Sequence, residues 1–544
     1  MRSVTHSTRE RSIWAWGWRD KFPDAAARAG LVQLTRAMLP GAEPALRPLP
    51  PAHDHGAPDL PAPGVAVPAA LAAFATQAPR DRAMCARGRA FPDQLAGFAG
   101  DYAGAPDVVA RPRDAAEVVR VLEVCAERGW ACIPFGGGTS VVGGVDAALA
   151  RGDRAAAVAL DLAALSGVHE VDATSRLARI GAGTLGPVLE DQLAAHGLTL
   201  RHFPQSFEHS TLGGWLATRA GGHYATGATH IDDLVHAISM ITPRGALATH
   251  RHPGSGAGPE PQRLVLGSEG ALGVITEAWM RVVPRPRWRA SASVAFREFF
   301  AGVAAARALV QSGLAPSNAR LLDASEARLH RVRFDGSSVL LIGFESADQP
   351  LGPWLARAIE LARDCGGELV SGPTHSEAQG DEASRTGAAG AWRQAFFDAP
   401  YMQSALISIG VLSDTFETSC SWAQFPELHA RVTAAVSRAL AEECGGGIVA
   451  CRFTHLYADG PAPYYTFVGA LRLGAELAQW RAIKAAASEA LAAAGGTITH
   501  HHAVGRIHRP WYDRERPALF GDAIRAIKRE LDPHGIMNPG VLVD

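Results

Sequence analysis

Between residues 106 and 197 the apolar positions follow two rhythms. Pro106–Ala110, Ala131-Cys132-Ile133 and Val158–Leu162 are short apolar runs of strand length. Asp114 stands ahead of Val118, Val121, Leu122 and Cys125, an N-cap followed by the 3.6-residue period of a helix. Ala178–Gly183 reads as a strand ending in glycines. Thr184 to His196 reads as a helix closed by Gly197. The pattern is β-α-β followed by a smaller sheet.

Pro284-Arg285-Pro286 breaks that pattern and marks a boundary. Beyond it the sequence predicts strands at Ala290–Phe296 and Val339–Phe344. It predicts helices at Phe299–Ser312, Pro353–Cys365, Pro426–Glu443 and Ala475–Ala494, the last ending at Gly495-Gly496. This reads as a cap with an antiparallel sheet. Thr497-Ile498-Thr499 reads as a short strand leading into His500-His501-His502. At the other end, residues 40–68 are proline-rich and irregular. Trp14-Ala15-Trp16-Gly17-Trp18 is costly to expose, and its simplest reading is a tether packed on the surface rather than a ligand site.

Composition narrows the field. A chain of 544 residues needs two or three cores. With 47% hydrophobic and 19% charged residues it has the make-up of a globular enzyme. A net charge of −2 gives no basis for a nucleic-acid partner. Seven cysteines without a CxxC pair fit a reducing compartment and no disulfide framework. Met1–Glu10 is polar with no apolar signal core behind it, and no apolar run is long enough to span a bilayer. The expectation is a soluble, cytoplasmic protein. Peripheral membrane contact and a homodimer stay open.

The most informative stretch is Pro134-Phe135-Gly136-Gly137-Gly138-Thr139-Ser140. Three glycines after a strand remove every Cβ from the turn, so its backbone can reach φ > 0 and approach a ligand closely. Successive N–H groups in such a turn make a concave anion site, and a pyrophosphate suits it. It is neither a Walker loop nor a GxGxxG turn. A glycine-rich hairpin without ligand is the alternative.

Four further stretches fall into the order of one superfamily. They are Pro204-Gln205-Ser206-Phe207-Glu208-His209-Ser210-Thr211-Leu212-Gly213-Gly214-Trp215-Leu216-Ala217-Thr218-Arg219-Ala220, Gly267-Ser268-Glu269-Gly270-Ala271-Leu272-Gly273-Val274-Ile275-Thr276, Thr499-His500-His501-His502-Ala503-Val504-Gly505, and Asp532-Pro533-His534-Gly535-Ile536-Met537-Asn538-Pro539-Gly540. Together with the tryptophan segment they resemble the FAD enzymes of the vanillyl-alcohol oxidase type. Within these they look most like the alkylglycerone-phosphate synthases, or alkyl-dihydroxyacetone-phosphate synthases.

The resemblance implies an α+β fold. A mainly helical or irregular N-terminal region (1–95) precedes a two-subdomain PCMH-type FAD-binding domain (96–285). A substrate cap (286–495) and a C-terminal segment returning to the FAD domain (496–544) follow. It implies non-covalent FAD, since the glycine turn holds no His or Cys to attach it. Contact with the cofactor is expected from Pro134, Phe135, Gly136, Gly137, Gly138, Thr139 and Ser140. The second signature adds Gln205, Ser206, Ser210, Thr211, Gly214, Thr218, Arg219 and Ala220. The third adds Glu269, Gly270, Leu272, Gly273, Val274 and Ile275. Gln205 stands where the family has Asp, and Ala271 departs from its pattern.

For the chemistry, the synthases carry S-H-H-H-G-V-G-K where this chain has Thr499 to Arg506. Related hydroxyacid dehydrogenases carry G-E-H-G. His501 is the best candidate for an active-site imidazole, with His500 and His502 beside it. A metal is not expected, because adjacent residues on a strand point to opposite faces. Tyr457–Phe467 matches a family strand, with Tyr464 at the position of a catalytic tyrosine. Two core tyrosines on a cap strand are the bland alternative. Arg320 matches an arginine near the flavin that would hold flavin or substrate phosphate. The bland alternative is a surface salt bridge to Asp323. Gln403 replaces an active-site arginine in the substrate site. The implied activity exchanges the acyl group of acyl-dihydroxyacetone phosphate for a fatty alcohol through a flavin N5 adduct. The alternative is an FAD-linked dehydrogenase or oxidase of a 2-hydroxy acid or other alcohol. The substrate is accordingly a lipid-like or hydroxy-acid small molecule.

Overall fold

The computed structural model describes residues 9–39, 42–49, 58–377 and 387–544. The leader before Arg9 and part of the proline-rich connection at 40–68 lie outside the described residues. Three parallel strands, Val108–Ala110, Ala157–Asp161 and Ala131–Phe135, lie side by side in that order, with Ala75–Thr76 antiparallel on the outer edge. The helix Ala115–Arg128 is the crossover that makes parallel pairing possible. The Asp114 carboxylate accepts the Glu117 N–H at its start, Val118, Val121, Leu122 and Cys125 are buried, and Gly129 ends it at φ +64°. The glycine turn leaves the edge strand Ala131–Phe135. The C-terminal segment completes that edge: Cys132 N–H donates to Ile536 O, and Asn538 N–H donates to Cys132 O.

A second sheet is antiparallel, in the order Val168–Asp172, Leu177–Gly181, Val274–Arg281, Val235–Thr242, Gly245–Ala248. The helix Leu212–Thr218 sits on it, capped by Thr211. Gly213 sets the approach, since a Cβ there would lie 2.7 Å from Ala182 Cβ. The third sheet has seven antiparallel strands: Glu368–Glu377, Trp288–Phe296, Ser338–Ser346, Asn318–Leu322, Gly447–Leu456, Pro461–Ala470 and Val411–Glu417. Helices Phe299–Gln311 and Gly352–Asp364 pack on one half. Phe425–Cys444 and Glu476–Ala493 pack on the other.

Two expectations are corrected. Residues 497–499 form no strand, because Thr499 and the backbone of His500–His502 turn inward around one carboxylate, described below. The tryptophan segment is core rather than a surface tether. Trp14 is 1% exposed, with its ring centroid 5.3 Å from those of Phe22 and Phe98. Among the described residues no helix is long and apolar enough to cross a membrane.

Candidate functional site

A cavity of about 630 Å³ lies where the three sheets meet. Its floor is built from the glycine signatures: Pro134, Gly136 to Ser140, Gln205, Ser206, Ser210, Thr211, Gly214, Thr218, Ala220, Glu269, Gly270, Gly273 and Ile275 all line it. The glycines are needed for more than ligand approach. A Cβ on Gly137 would lie 1.9 Å from His209 O, and one on Gly136 would lie 2.4 Å from Thr211 Oγ1. The turn therefore nests directly against the second signature.

This floor fits a dinucleotide. The backbone N–H groups of Gly136 through Val141 donate to no acceptor among the described residues. Six consecutive unsatisfied donors in a cavity wall form an anion nest of the kind a diphosphate fills. Four expected contacts stand elsewhere. Phe135 is buried under the turn, where its Cζ would meet a Cβ on Gly138. Arg219 faces outward to Asp232, with Nε 2.8 Å from Oδ2. Leu272 and Val274 point into the cores of the two FAD-domain sheets. Glu269 reaches the wall, but its carboxylate accepts the N–H groups of Val504 and Gly505, and burial pushes its pKa up to about 7. It ties the third signature to the histidine loop.

The opposite wall carries the titratable groups. Glu417, 2% exposed at the end of its strand, is the hub that the sequence pattern did not bring out. Its carboxylate accepts N–H groups from His500, His501 and His502 and the Thr499 hydroxyl. Burial alone would raise its pKa, but the neighbouring imidazoles outweigh burial and hold it well below the usual range. His501 Nδ1 lies 3.4 Å from Glu417 Oε2 and 3.1 Å from His500 Nδ1. His500 Nε2 lies 3.1 Å from His230 Nε2 and 2.7 Å from the Tyr457 hydroxyl. His230 Nδ1 must donate to Arg219 O, because a carbonyl only accepts. With His230 and His500 neutral, His500 donates from Nε2 to His230 and accepts at Nδ1 from His501 Nδ1.

His501 and His502 line the cavity, while His500 stands behind them in this relay. Burial lowers His502 to about 3 and His500 well below its ordinary value. Nitrogens of His455, His500 and His501 lie within 4.8 Å of one another, so adjacent histidines do converge here. The strand argument against convergence fails because the segment is a loop. Tyr464 lies in the strand Pro461–Ala470 and lines the cavity. Tyr457 belongs instead to the preceding turn. The Tyr464 hydroxyl donates to Thr415 Oγ1 at 2.9 Å, and burial raises its pKa to about 12.

Arg320 is fully buried and lines the cavity, which excludes the surface salt bridge. Asp323 instead caps the helix Ala324–Leu329. Arg320 donates to His223 O at 2.5 Å and sits 5.1 Å over the Phe396 ring, and burial with the nearby Arg452 lowers its pKa to about 9. Arg452, also unforeseen, lies 4.0 Å over the Tyr464 ring and is paired with Glu326. Gln403 accepts from Gln94 Nε2 at 2.6 Å and donates to Ser413 O and Asp414 Oδ1. Lys484 reaches the same wall, donating to Thr415 O.

Comparison with known proteins agrees with this geometry. Residues 106–250 match the family model described as FAD binding domain, and residues 285–542 match FAD linked oxidases, C-terminal domain. Alkyldihydroxyacetonephosphate synthase of Dictyostelium discoideum is 29% identical over 84% of this chain and 76% of its own. The Trypanosoma brucei brucei enzyme of that name is 28% identical, over 80% and 73%. Glycolate oxidase subunit GlcD of Bacillus subtilis is 25% identical, over 81% and 89%. A solved alkyldihydroxyacetonephosphate synthase shares the fold with a TM-score of 0.75 at 23% identity, covering 94% of this chain and 92% of that one. The two family models together span most of the sequence, and the chain carries a PCMH-type FAD-binding domain and an FAD-linked oxidase C-terminal domain, with FAD as its cofactor.

Proposed function

We propose that the protein exchanges the acyl group of acyl-dihydroxyacetone phosphate for a fatty alcohol, as an alkyldihydroxyacetonephosphate synthase. One observation carries this reading. A single cavity joins the glycine floor, the Tyr464–His501 wall and an apolar end where Leu31, Leu39, Leu406, Ile448 and Val468 cluster. A polar headgroup and a long alkyl chain need such a cavity together, whereas a small hydroxy acid leaves the apolar end without use.

Gly136 through Val141, with Gln205, Ser206, Thr211 and Ile275, would hold FAD without a covalent bond. When bound, the flavin supplies the nucleophilic ring nitrogen and the electron storage that the exchange needs. The protein's own groups move the protons. Tyr464 stays protonated at neutral pH and can hand its proton to a departing carboxylate. His501, with its proton fixed on Nδ1, presents Nε2 as acceptor for the incoming alcohol. Arg320 and Lys484 bring positive charge to the wall where a phosphate would sit.

A second reading draws on Gln403. The resembled synthases have arginine there, and Gln403 is instead tied into neutral contacts and Asp414. That favours an FAD-linked dehydrogenase of a hydroxy acid. Anaerobic incubation with palmitoyl-dihydroxyacetone phosphate and hexadecanol separates the two. The synthase reading expects ether product without net flavin bleaching. Bleaching by a 2-hydroxy acid, with no ether product, would replace it by the second.

A further inference from the structure

Two arginines far from the glycine turn in sequence stand against it in space. Arg11 Nη2 donates to Gly137 O at 2.9 Å, across 126 residues. The Arg89 backbone N–H donates to Ser140 O at 2.6 Å, and Arg89 is among the residues that line the cavity. The two side chains are held by the same short arm. Arg89 Nη2 donates to Ser12 O, next to Arg11. Residues 11 and 18 form a β-bridge, Ser12 N–H donates to Gly17 O, and Trp16 N–H donates to the Ser404 hydroxyl. Trp16 itself lines the cavity.

We propose that the arm from Arg11 to Trp18 is a structural wall of the FAD site, in which Arg11 and Arg89 aim the turn's N–H groups and supply the counter-charge for the cofactor's diphosphate. The aiming follows from peptide geometry. In a trans peptide the C=O of one residue and the N–H of the next point in opposite directions. Pinning the carbonyl of Gly137 from the arm and that of Ser140 from the Arg89 backbone turns the N–H groups of Gly138 and Val141 the other way. Those two N–H groups have no acceptor among the described residues.

The counter-charge follows from what surrounds the guanidinium groups. Neither Arg11 nor Arg89 forms an ion pair among the described residues, and the Nε of each is sealed from solvent without a hydrogen-bond partner. The acids within electrostatic reach are engaged elsewhere. Asp93 accepts the Ala90 N–H, and Asp161 accepts from Arg111. Arg89 is buried and Arg11 half-buried, neither has a paired carboxylate, and burial and then Arg89 lower Arg11 to about 10. A diphosphate in the nest lies across the turn from Arg11, and the guanidinium charge acts on it through space rather than by a hydrogen bond.

The test is FAD binding to the apoprotein, read by quenching of flavin fluorescence. Arg11→Met, which loses the Gly137 contact and the charge, and Arg89→Met, which keeps its backbone N–H on Ser140 O and loses the charge alone, are each expected to raise the Kd for FAD about tenfold. Arg357→Met, on the exposed face of the cap where Arg357 pairs with Glu360, is expected to leave it unchanged. A folded Arg11→Met protein that binds FAD like the unaltered chain would overturn the proposal. Should both variants fail to fold, hydrogen–deuterium exchange on the unaltered protein decides. FAD must slow exchange in residues 12–18 as well as in the turn, and protection of the turn alone rejects the arm's role. Failure of the unaltered apoprotein to bind FAD would instead reject the cofactor assignment.

Discussion

Tyr464 and His501 lie nearly parallel, with ring centroids 5.9 Å apart and planes 20° apart. They come from a cap strand and from the loop wrapped on Glu417. Arg452 over the Tyr464 ring and Thr415 at its hydroxyl fix the phenol in that position. Tyr464→Phe keeps the stacking and removes only the proton-carrying oxygen. The expected result is a drop of about 10²-fold or more in ether formation, with the flavin absorption spectrum unchanged. Activity retained within a factor of two would remove Tyr464 from the proton path.

The capping residues and helix periods of the FAD domain were legible because they are local. Asp114 caps the helix and Val118, Val121, Leu122 and Cys125 are buried, as their spacing predicts. The glycine signatures were legible as a set, with ligand approach and plain packing as alternative purposes, and the structure joins the two. Gly137 serves the packing on His209 as much as any ligand. What escaped is what only the tertiary fold creates. Glu417 meets His500 across 83 residues, and nothing near Val411–Glu417 marks that strand as the support of a histidine loop. Four of the seven cap strands were missed for the same reason: cross-strand partners and burial decide a strand more than its own residues do. The tryptophan segment was read as a tether because its partners, Tyr401 and Ser404, lie some 390 residues away.

Glu417 holds the histidine loop through four donors, so its removal should be felt as stability. Glu417→Gln keeps the shape but replaces one acceptor oxygen with a donor that faces backbone N–H groups. The expected cost is about 3 kcal/mol at pH 7, measured by urea unfolding of the holoenzyme. The native carboxyl sits well below its unfolded value, so its stabilisation is present above the unfolded pKa and lost as pH falls. The gap between the two proteins should therefore narrow below about pH 4. A gap that does not change with pH would mean that the charge is not what holds the loop.

Gln403 offers the reverse experiment. Asp414 Oδ1 already lies 3.3 Å from Gln403 Nε2, and an arginine there would keep a carboxylate partner while adding charge to the wall. If a phosphate-bearing substrate is bound, Gln403→Arg should lower its KM by up to about tenfold, one charge-assisted hydrogen bond, with kcat little changed. A rise in KM would show that the pocket is shaped for a neutral headgroup at this point.

His429 sets part of the acid limit of the fold. It packs among Phe299, Phe425 and Tyr465, with ring centroids 5.3 to 5.8 Å away, and burial lowers its pKa to about 4. The unfolded chain protonates this histidine near 6.5, while the native state holds it neutral down to about 4. Between those values the unfolded state binds more protons, so stability falls as pH drops, by up to about 1.4 kcal/mol per pH unit for this one group. His429→Phe fits the aromatic surroundings and cannot titrate. It gives up the 3.2 Å contact with the Tyr465 hydroxyl, a cost independent of pH. The expected outcome is a shallower loss of unfolding free energy between pH 6.5 and 4.5, measured by chemical denaturation at several pH values. Identical slopes would place the acid sensitivity in other buried histidines, such as His202 and His508, whose pKa values burial also lowers.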